Sequence, residues 1–303
     1  MDPATRDRVL AAMSTLGYHP NHAARSLATG RFGSIGIITS TLSSYGTSRT
    51  LDGVADAARK AGYTLTLLPL SLPSSGEVSG ATARMAGQNV DGIIVMVESD
   101  ALERAIIDLP HGTPVVVSDG DASHRFRSVD SDPVPGIKGA IEHLVSLGHT
   151  HIWHVAGPAN SYDAQIRRDV WESTLQSHRL PVSNVYYGDW SSRSGFRIGE
   201  HLATLDGPTA IFSANDQMAL GLVRAYTDAG IDVPRDISIV GFDDMTESEQ
   251  FVPRLTTIRQ DFAEMGRRAV AALLEAMDSS DTREIEQVPT ELVIRESTAP
   301  PRS

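Results

Sequence analysis

Hydrophobic positions along the chain follow two alternating patterns. Short apolar runs rich in valine and isoleucine, such as Ile35–Thr39 and Ile237–Val240, lie between longer stretches in which apolar residues return every three or four positions. The short runs are typical of buried strands, and the longer stretches are typical of helices. Strands and helices that alternate with short connections predict a mainly parallel sheet with helices on both faces.

The alternation falls into two series that meet near His151. The predicted strands of the first series are Ile35–Thr39, Tyr63–Leu68, Gly92–Val97, Pro114–Ser118 and Ser128–Val129, and those of the second are Ile152–Ala156, Asn184–Tyr187, Ala210–Ser213 and Ile237–Val240. The first predicted helix between them ends at Ala61. The others span Glu77–Gln88, Leu102–Asp108, Gly136–Leu147, Ala164–Ser177, Ser192–Leu205, Asp216–Ala229 and Asp261–Ala276. Two such series predict two similar lobes with a cleft between them.

A different pattern precedes the first strand. Asp2 suits an N-cap and Pro3 suits the first helical position, so we predict an amphipathic helix over residues 2–17 that ends at Gly17. Asn21 can cap a second, very short helix over His22–Ala28. These two helices form a unit apart from the strand and helix series.

Composition restricts what the chain can bind. At 303 residues the chain is long enough for two lobes, and its net charge of -12 argues against non-specific binding of nucleic acid by its body. The segment up to Arg31 is the exception, with four arginines against two aspartates. The absence of cysteine excludes disulfides, and without a long apolar run or an apolar signal core we expect a cytoplasmic protein with no membrane partner.

Motifs for common enzyme chemistry are missing. No Gly-x-Gly-x-x-Gly follows a strand, and no Walker-type loop or Gly-x-Ser-x-Gly elbow occurs. His143, His149, His151 and His154 are close in sequence but lie in a helix, at a helix end and around a strand start, which is not the ordered spacing of metal ligands. We therefore expect a binding protein rather than an enzyme, with no metal and no cofactor.

The ends of the last strands carry the first candidates for ligand contact. Asp243 follows the strand Ile237–Val240 after Gly241, and Gln260 follows a predicted strand over Leu255–Ile258. In open α/β sheets ligands bind at the carboxyl ends of strands, and a carboxylate beside an amide suits a ligand rich in hydroxyls. The alternative is that Asp243 only caps a following helix.

Three further side chains lie near strand ends, each with a structural alternative. Trp190 can present a flat face to a sugar ring or a base, or it can fill core space. Arg167 can bind hydroxyl pairs or carboxylates through two N–H groups, or it can be a charge on a helix surface. Asn215 can contact a ligand or cap the helix that follows it.

Over essentially its whole length the chain resembles the LacI/GalR family of bacterial transcriptional regulators. The matching motifs are Asp2-Pro-x-Thr-Arg-x-Arg-Val, Leu16-Gly-Tyr-x-Pro-Asn-x-x-Ala-Arg-Ser-Leu27, Gly53 to Gly62-Tyr63, Glu142-His-Leu-x-x-Leu-Gly-His149, Ser213-Ala-Asn-Asp216, Val240-Gly-Phe-Asp-Asp244, Pro253-Arg-Leu-Thr-Thr-Ile-Arg-Gln260 and Arg295-Glu-Ser-Thr. The resemblance implies an α/β fold of two similar lobes of parallel sheet flanked by helices, like the type I periplasmic binding proteins. It also implies that the chain crosses between the lobes three times.

Domain boundaries follow from this resemblance. Residues 1–31 would be the remnant of a DNA-binding headpiece with a hinge helix, and residues 32–303 would form the effector-binding domain. Its N-lobe would comprise about 34–148 and 261–288, and its C-lobe about 151–258 and 290–297.

The resemblance also assigns roles to individual residues. The positions that match effector contacts are Ser44, Tyr45, Asp132, Asp163, Arg167, Trp190, Asn215, Asp243 and Gln260. The positions that match DNA contacts in the hinge helix are Asn21, Arg25, Leu27 and Ala28. Of these, Leu27 would wedge into the minor groove at the operator centre.

The function implied is that of a homodimeric repressor whose affinity for operator DNA is controlled by a small effector. We expect this effector to be a sugar. The alternative is a sugar-binding protein of a transport system. In this family a helix-turn-helix precedes the hinge, whereas this sequence begins at the third helix of that headpiece. Because a GTG codon encodes valine internally but methionine at a start, and relatives often carry valine at the position of Met1, we expect the reading frame to continue upstream.

Overall fold

The computed structural model describes residues 2–16, 30–70, 74–97, 113–118, 126–182, 184–205, 207–278 and 285–302. The strands are β1 Ser34–Thr39, β2 Thr64–Pro69, β3 Gly92–Met96, β4 Val115–Ser118, β5 Arg127–Asp132, β6 Ile152–Ala156, β7 Val185–Tyr187, β8 Ala210–Ser213, β9 Ser238–Val240, β10 Thr257–Arg259, β11 Ile285–Pro289 and β12 Glu291–Val293. The helices are α1 Pro3–Thr15, α2 Tyr45–Lys60, α3 Ser75–Ala86, α4 Val134–Ser146, α5 Tyr162–Ser177, α6 Ser192–Leu202, α7 Asp216–Asp228 and α8 Phe262–Asp278, with a 3-10 helix at Thr246–Gln250. The predicted helices Leu102–Asp108 and His22–Ala28 lie outside the described residues.

Two parallel sheets organise the molecule. The N-lobe sheet has the order β11-β5-β4-β3-β1-β2, and the C-lobe sheet has the order β7-β6-β8-β9. Every neighbouring pair within these two sheets is parallel. The prediction of two parallel-sheet lobes flanked by helices is confirmed. A short antiparallel pair, β10 and β12, adjoins β9 through a bridge between Val240 and Thr256.

Each sheet is covered by helices on both faces, which explains why its strands are apolar throughout. In β3, Ile94 faces the core formed with α2 and α8, whereas its neighbour Ile93 faces the core formed with α3. This alternation is the two-residue period of a strand. In the C-lobe, α6 and α7 cover one face and α4 and α5 cover the other.

Helix α4 lies in a different lobe from the one predicted. Ile137, Ile141 and Leu144 of α4 pack in the same cluster as Trp171 and Phe212 of the C-lobe. The apolar face of α4 therefore completes the C-lobe core. For this reason we assign the first crossover to residues 132–134, in place of the boundary near residue 148 expected from the sequence.

The other two crossovers lie near residues 260 and 290. β10 pairs with β12 in the C-lobe, whereas α8, which begins two residues after Gln260, packs against α2 in the N-lobe. β11 joins the N-lobe sheet and β12 does not, which places the last crossover at Thr290. The Thr290 hydroxyl donates to the carbonyl of Asp132 at 2.8 Å, so the first and last crossovers are bonded together.

Helix α1 precedes both lobes. It begins at Pro3, as predicted, and its apolar residue Val9 is 46% exposed, so this position is not covered by either lobe. Among the helices of the described residues, none combines the length and the apolar character needed to span a bilayer.

Candidate functional site

A narrow cleft lies where the two lobes meet. It is lined by Ser44, Tyr45, Gly46, Asp163, Arg167, Trp190, Asn215, Gln217, Asp243, Gln260 and Phe262. These side chains follow strand ends or begin helices in both lobes, as expected for a ligand site in an α/β protein. The structure thus brings together eight of the nine predicted effector contacts.

Asp243 is a buried acid that lines the cleft. It follows β9 in a left-handed conformation with φ of 109°, and its N–H donates to the carbonyl of Ile258 at 2.8 Å. Its carboxyl oxygen accepts a hydrogen bond from Gln260 at 2.8 Å. Burial raises the pKa of Asp243 to about 7, although the nearby Arg167 guanidinium acts in the opposite direction. Near neutral pH this carboxyl group can therefore either accept or donate a hydrogen bond.

Arg167 is held from several sides and is only 7% exposed. Its Nη1 donates to the carbonyl of Ala214 at 2.7 Å, and its Nη2 lies 3.4 Å from a carboxylate oxygen of Asp163. Its guanidinium carbon lies 3.9 Å from the ring centroid of Phe242 and 5.4 Å from that of Trp190. The surface alternative for Arg167 is therefore excluded, and its remaining N–H groups are oriented in advance.

Asp163 begins α5 one turn before Arg167. Burial raises the pKa of Asp163, and the positive charge of Arg167 opposes that shift. Two acids, Asp163 and Asp243, therefore share one guanidinium in the cleft. Such a set offers both donors and acceptors to neighbouring hydroxyl groups.

Trp190 lies flat against the backbone of the C-lobe. A Cβ added at Gly157 would overlap the Trp190 ring, so glycine at this position makes the close approach possible. Trp190 has φ of 69°, and its carbonyl accepts a hydrogen bond from the Asn215 amide at 3.0 Å. The ring both packs against the C-lobe core and lines the cleft, so the two alternatives for Trp190 coexist.

Asn215 caps a helix and also lines the cleft, while its contact with a ligand stays a prediction. Its Oδ1 accepts from the N–H of Met218 at 2.9 Å, which caps α7, while its Nδ2 holds Trp190. In the N-lobe, Ser44 caps α2 by accepting from the N–H of Thr47 at 3.3 Å. Capping therefore fixes the geometry of these two cleft side chains.

Tyr45 and Phe262 form the N-lobe wall of the cleft. Their rings meet edge to face, with centroids 5.8 Å apart. The family resemblance predicts Tyr45, and Gly46 follows it directly. Phe262 and Gln217 were not predicted, because each belongs to the first turn of a helix and carries no signal of its own in the sequence.

Asp132 lies outside this cleft. It lines an adjoining cavity that Asp163 and Arg167 also line. Its carboxylate accepts from the N–H of Val134 at 3.0 Å at the start of α4. Its role as an effector contact stays a prediction, and its observed role is to shape the first crossover.

The hinge positions and the histidines are the remaining residues that the sequence analysis considered. The hinge positions Asn21, Arg25, Leu27 and Ala28 lie outside the described residues. Across the described ranges no group of three or more histidine, aspartate or glutamate side chains is placed to hold a metal ion. In the C-lobe, His149 bonds instead to the Thr209 hydroxyl and to the carbonyl of Ala299, each at 2.9 Å, and so holds the C-terminal segment.

Comparison with known proteins agrees with this architecture. Residues 141–298 match the model of a periplasmic binding protein-like domain. The chain is 32% identical to the lactose operon repressor of Escherichia coli (strain K12) over 302 residues, which covers 99% of this chain and 84% of that protein. The chain belongs to the LacI family of transcriptional regulators. It is accordingly an effector-controlled transcriptional regulator of the repressor type, and the transport alternative is not favoured.

Two solved structures extend the comparison. A Lac repressor dimer bound to operator and the anti-inducer ONPF superimposes with a TM-score of 0.86 at 31% identity, covering 93% of this chain and 99% of that one. The transcriptional regulator CelR in complex with cellobiose superimposes with a TM-score of 0.78 at 26% identity, covering 98% and 91%. These relatives are transcriptional regulators and not enzymes.

Proposed function

We propose that the cleft binds a neutral, hydroxyl-rich effector, a sugar, and that its occupancy controls the affinity of a homodimer for operator DNA. The observation that carries this proposal is the convergence of Asp243, Arg167 and Trp190 from the C-lobe with Tyr45 from the N-lobe on one cleft. The carboxyl and guanidinium groups supply hydrogen bonds to hydroxyls. The tryptophan and tyrosine rings supply flat apolar faces for a sugar ring.

The charges of the cleft support a neutral effector. Asp163 and Asp243 face a single guanidinium, that of Arg167, which already contacts Asp163 and the carbonyl of Ala214. A phosphate or carboxylate on the effector would meet two acids. A neutral sugar would meet donors and acceptors without a charge penalty.

Control of DNA binding follows from the position of the cleft. Because the effector would contact both lobes, its binding favours one orientation of the N-lobe relative to the C-lobe. We expect that orientation to control whether the hinge helices implied by the family resemblance can bind operator DNA in the homodimer. A coupling of about 1–3 kcal/mol corresponds to a roughly 5- to 150-fold change in operator affinity.

The proposed homodimer and its binding to operator DNA are supported by the similar structures, one of which is a Lac repressor dimer bound to operator. The same similarity supports a regulator that is located in the cytoplasm and catalyses no reaction. We place the effector contacts at the nine predicted positions, with Asp132 as the outermost.

A thermal unfolding screen tests the effector. The wild type is heated with lactose, cellobiose, ribose and ONPF in turn, and we expect at least one of them to raise the unfolding temperature. A ligand at about 100 times its dissociation constant stabilises the native state by roughly 2.7 kcal/mol.

Two variants locate the site. Asp243→Ala should lose the stabilisation by the sugar. Asp169→Ala should retain it, because the Asp169 carboxylate is 63% exposed on α5 and lines no part of the cleft. Undiminished stabilisation of Asp243→Ala would place the effector elsewhere.

A further inference from the structure

Asp243, which faces the cleft, is followed directly by Asp244, which faces away from it. Asp243 lines the cleft, whereas Asp244 lines only an adjoining groove, which Asp243 also borders. Both residues adopt left-handed conformations, with φ of 109° and 49°. Two successive non-glycine residues in this region are strained, and such a turn persists only where surrounding contacts hold it.

Two arginines hold the outer acid. Arg259 Nε and Asp244 Oδ2 are 2.7 Å apart, and Arg295 Nη2 and Asp244 Oδ1 are also 2.7 Å apart. The Asp244 side chain is 8% exposed and that of Arg295 is 10% exposed, whereas Arg259 is 46% exposed. Arg259 donates a hydrogen bond to Asp244, whereas Arg295 holds the Asp244 Oδ1 atom through an ion pair, and water screens this second contact least.

Arg295 is itself fixed to the strand beside the turn. Its Nη1 donates to the carbonyl of Leu255 at 2.9 Å, and its backbone N–H donates to the hydroxyl of Thr256 at 2.9 Å. Its Nη2 also lies 3.3 Å from Glu249. The guanidinium therefore ties Asp244 to a segment that pairs with β9, and it lines no part of the cleft.

A buried acid holds the other side of the same turn. Asp216 is fully buried and accepts hydrogen bonds from the N–H of Met245 at 2.9 Å and from the hydroxyl of Ser248 at 2.6 Å. A Cβ added at Gly241 would overlap the Asp216 carboxylate, so the chain passes directly over this acid. The turn is thus held from inside by Asp216 and from outside by Arg295.

We propose that Arg295 is a positioning residue for effector binding: by holding Asp244 it fixes the strained turn that aims the Asp243 carboxyl group into the cleft. The inference rests on the proposed function of the cleft. Arg295 contacts no effector and acts through the backbone of two adjacent residues.

The test compares Arg295→Met, Arg295→Lys and the control Arg254→Met. Arg254 directly precedes Leu255, whose carbonyl accepts from Arg295, but the Arg254 side chain is 64% exposed and its Nε lies 4.0 Å from Glu296. Two quantities are measured for each protein. The first is the dissociation constant for whichever of ONPF and cellobiose stabilises the wild type, and the second is the hydrogen-exchange rate of the Asp243 amide, which needs no effector.

We expect Arg295→Met to weaken sugar binding by about 10- to 100-fold, because Asp244 loses the less screened of its two ion pairs and the turn is held less firmly. The Asp243 amide, which donates to Ile258, should exchange at least about tenfold faster, because local opening of the turn becomes easier. The amide of Ile94, in the N-lobe sheet, should exchange at the wild-type rate. Arg295→Lys should recover part of both effects, and Arg254→Met should match the wild type.

The exchange measurement separates the two proposals. If no sugar binds the wild type, the proposed function fails, while the exchange rate of Asp243 still tests the positioning role. An unchanged Asp243 amide in Arg295→Met overturns the positioning role whatever the affinity. Equal acceleration at Asp243 and Ile94 overturns it as well, because the arginine would then stabilise the molecule as a whole.

Discussion

Replacing Asp243 by asparagine should make the effector-free protein more stable at high pH. Asparagine keeps the shape of the side chain, and its Oδ1 can still accept from Gln260, but it carries no charge. The wild-type carboxyl group is only 6% exposed, and burial raises its pKa to about 7. A site built to bind a ligand would thus carry a charge that opposes folding in the absence of that ligand.

The size of the effect follows from the pKa. Each pKa unit corresponds to about 1.4 kcal/mol, so raising the pKa of Asp243 from 3.8 to about 7 costs the ionised form up to ~4 kcal/mol. Between about pH 4 and 7 the native state keeps a proton on Asp243 that the unfolded chain has released. The stability of the wild type therefore falls as the pH rises through this window, and the full cost is present above it.

Urea unfolding at pH 5 and pH 8 measures this difference. We expect Asp243→Asn to exceed the wild type by up to ~4 kcal/mol at pH 8 and by much less at pH 5, where the wild-type carboxyl group is protonated. Asp216, whose pKa burial also raises to about 7, titrates in both proteins, and because its charge helps to raise the pKa of Asp243, relief of that repulsion forms part of the expected gain. Asp169→Asn, on an exposed acid, should show no such gain.

A variant Asp243→Asn no more stable than the wild type at pH 8 would refute this reasoning. It would mean that Arg167 and Gln260 compensate the buried charge fully. The pH dependence of the difference is the stricter criterion, because a general effect of the amide would persist at pH 5.

Two further outcomes follow from the packing of the cleft. Gly157→Ala should displace the Trp190 ring and weaken sugar binding by about tenfold or more without unfolding the C-lobe. The control Gly76→Ala, which has open space around the glycine, should bind sugar as the wild type does. Calorimetric titration compares the two variants, and equal affinities would contradict the stacking role of Trp190. Asp216→Ala should lower the free energy of unfolding by about 3 kcal/mol or more in urea, because it leaves the buried Met245 N–H and the Thr257 hydroxyl without their acceptor, and a loss below about 1 kcal/mol would show that water replaces the carboxylate.

Local patterns of the sequence were sufficient for most of the architecture. Runs such as Ile35–Thr39 are buried on both faces and can only be strands of a covered sheet, and the residues that follow them at strand ends form the cleft. The capping role of Asn215 and the cleft position of Asp243 both follow from their place along the chain. Family resemblance gave weight to Arg167, which in isolation is somewhat more typical of a charge on a helix surface.

Only the tertiary structure decided which surfaces meet. The apolar face of α4 fits either lobe by its sequence, and its packing against Trp171 and Phe212 places it in the C-lobe. Charge behaves in the same way, because the pKa of Asp243 depends on its burial and on Arg167, which lies 76 positions earlier in the chain. The hold of Arg295 on Asp244 likewise joins residues 51 positions apart, and no periodicity in the sequence reports a contact of that kind.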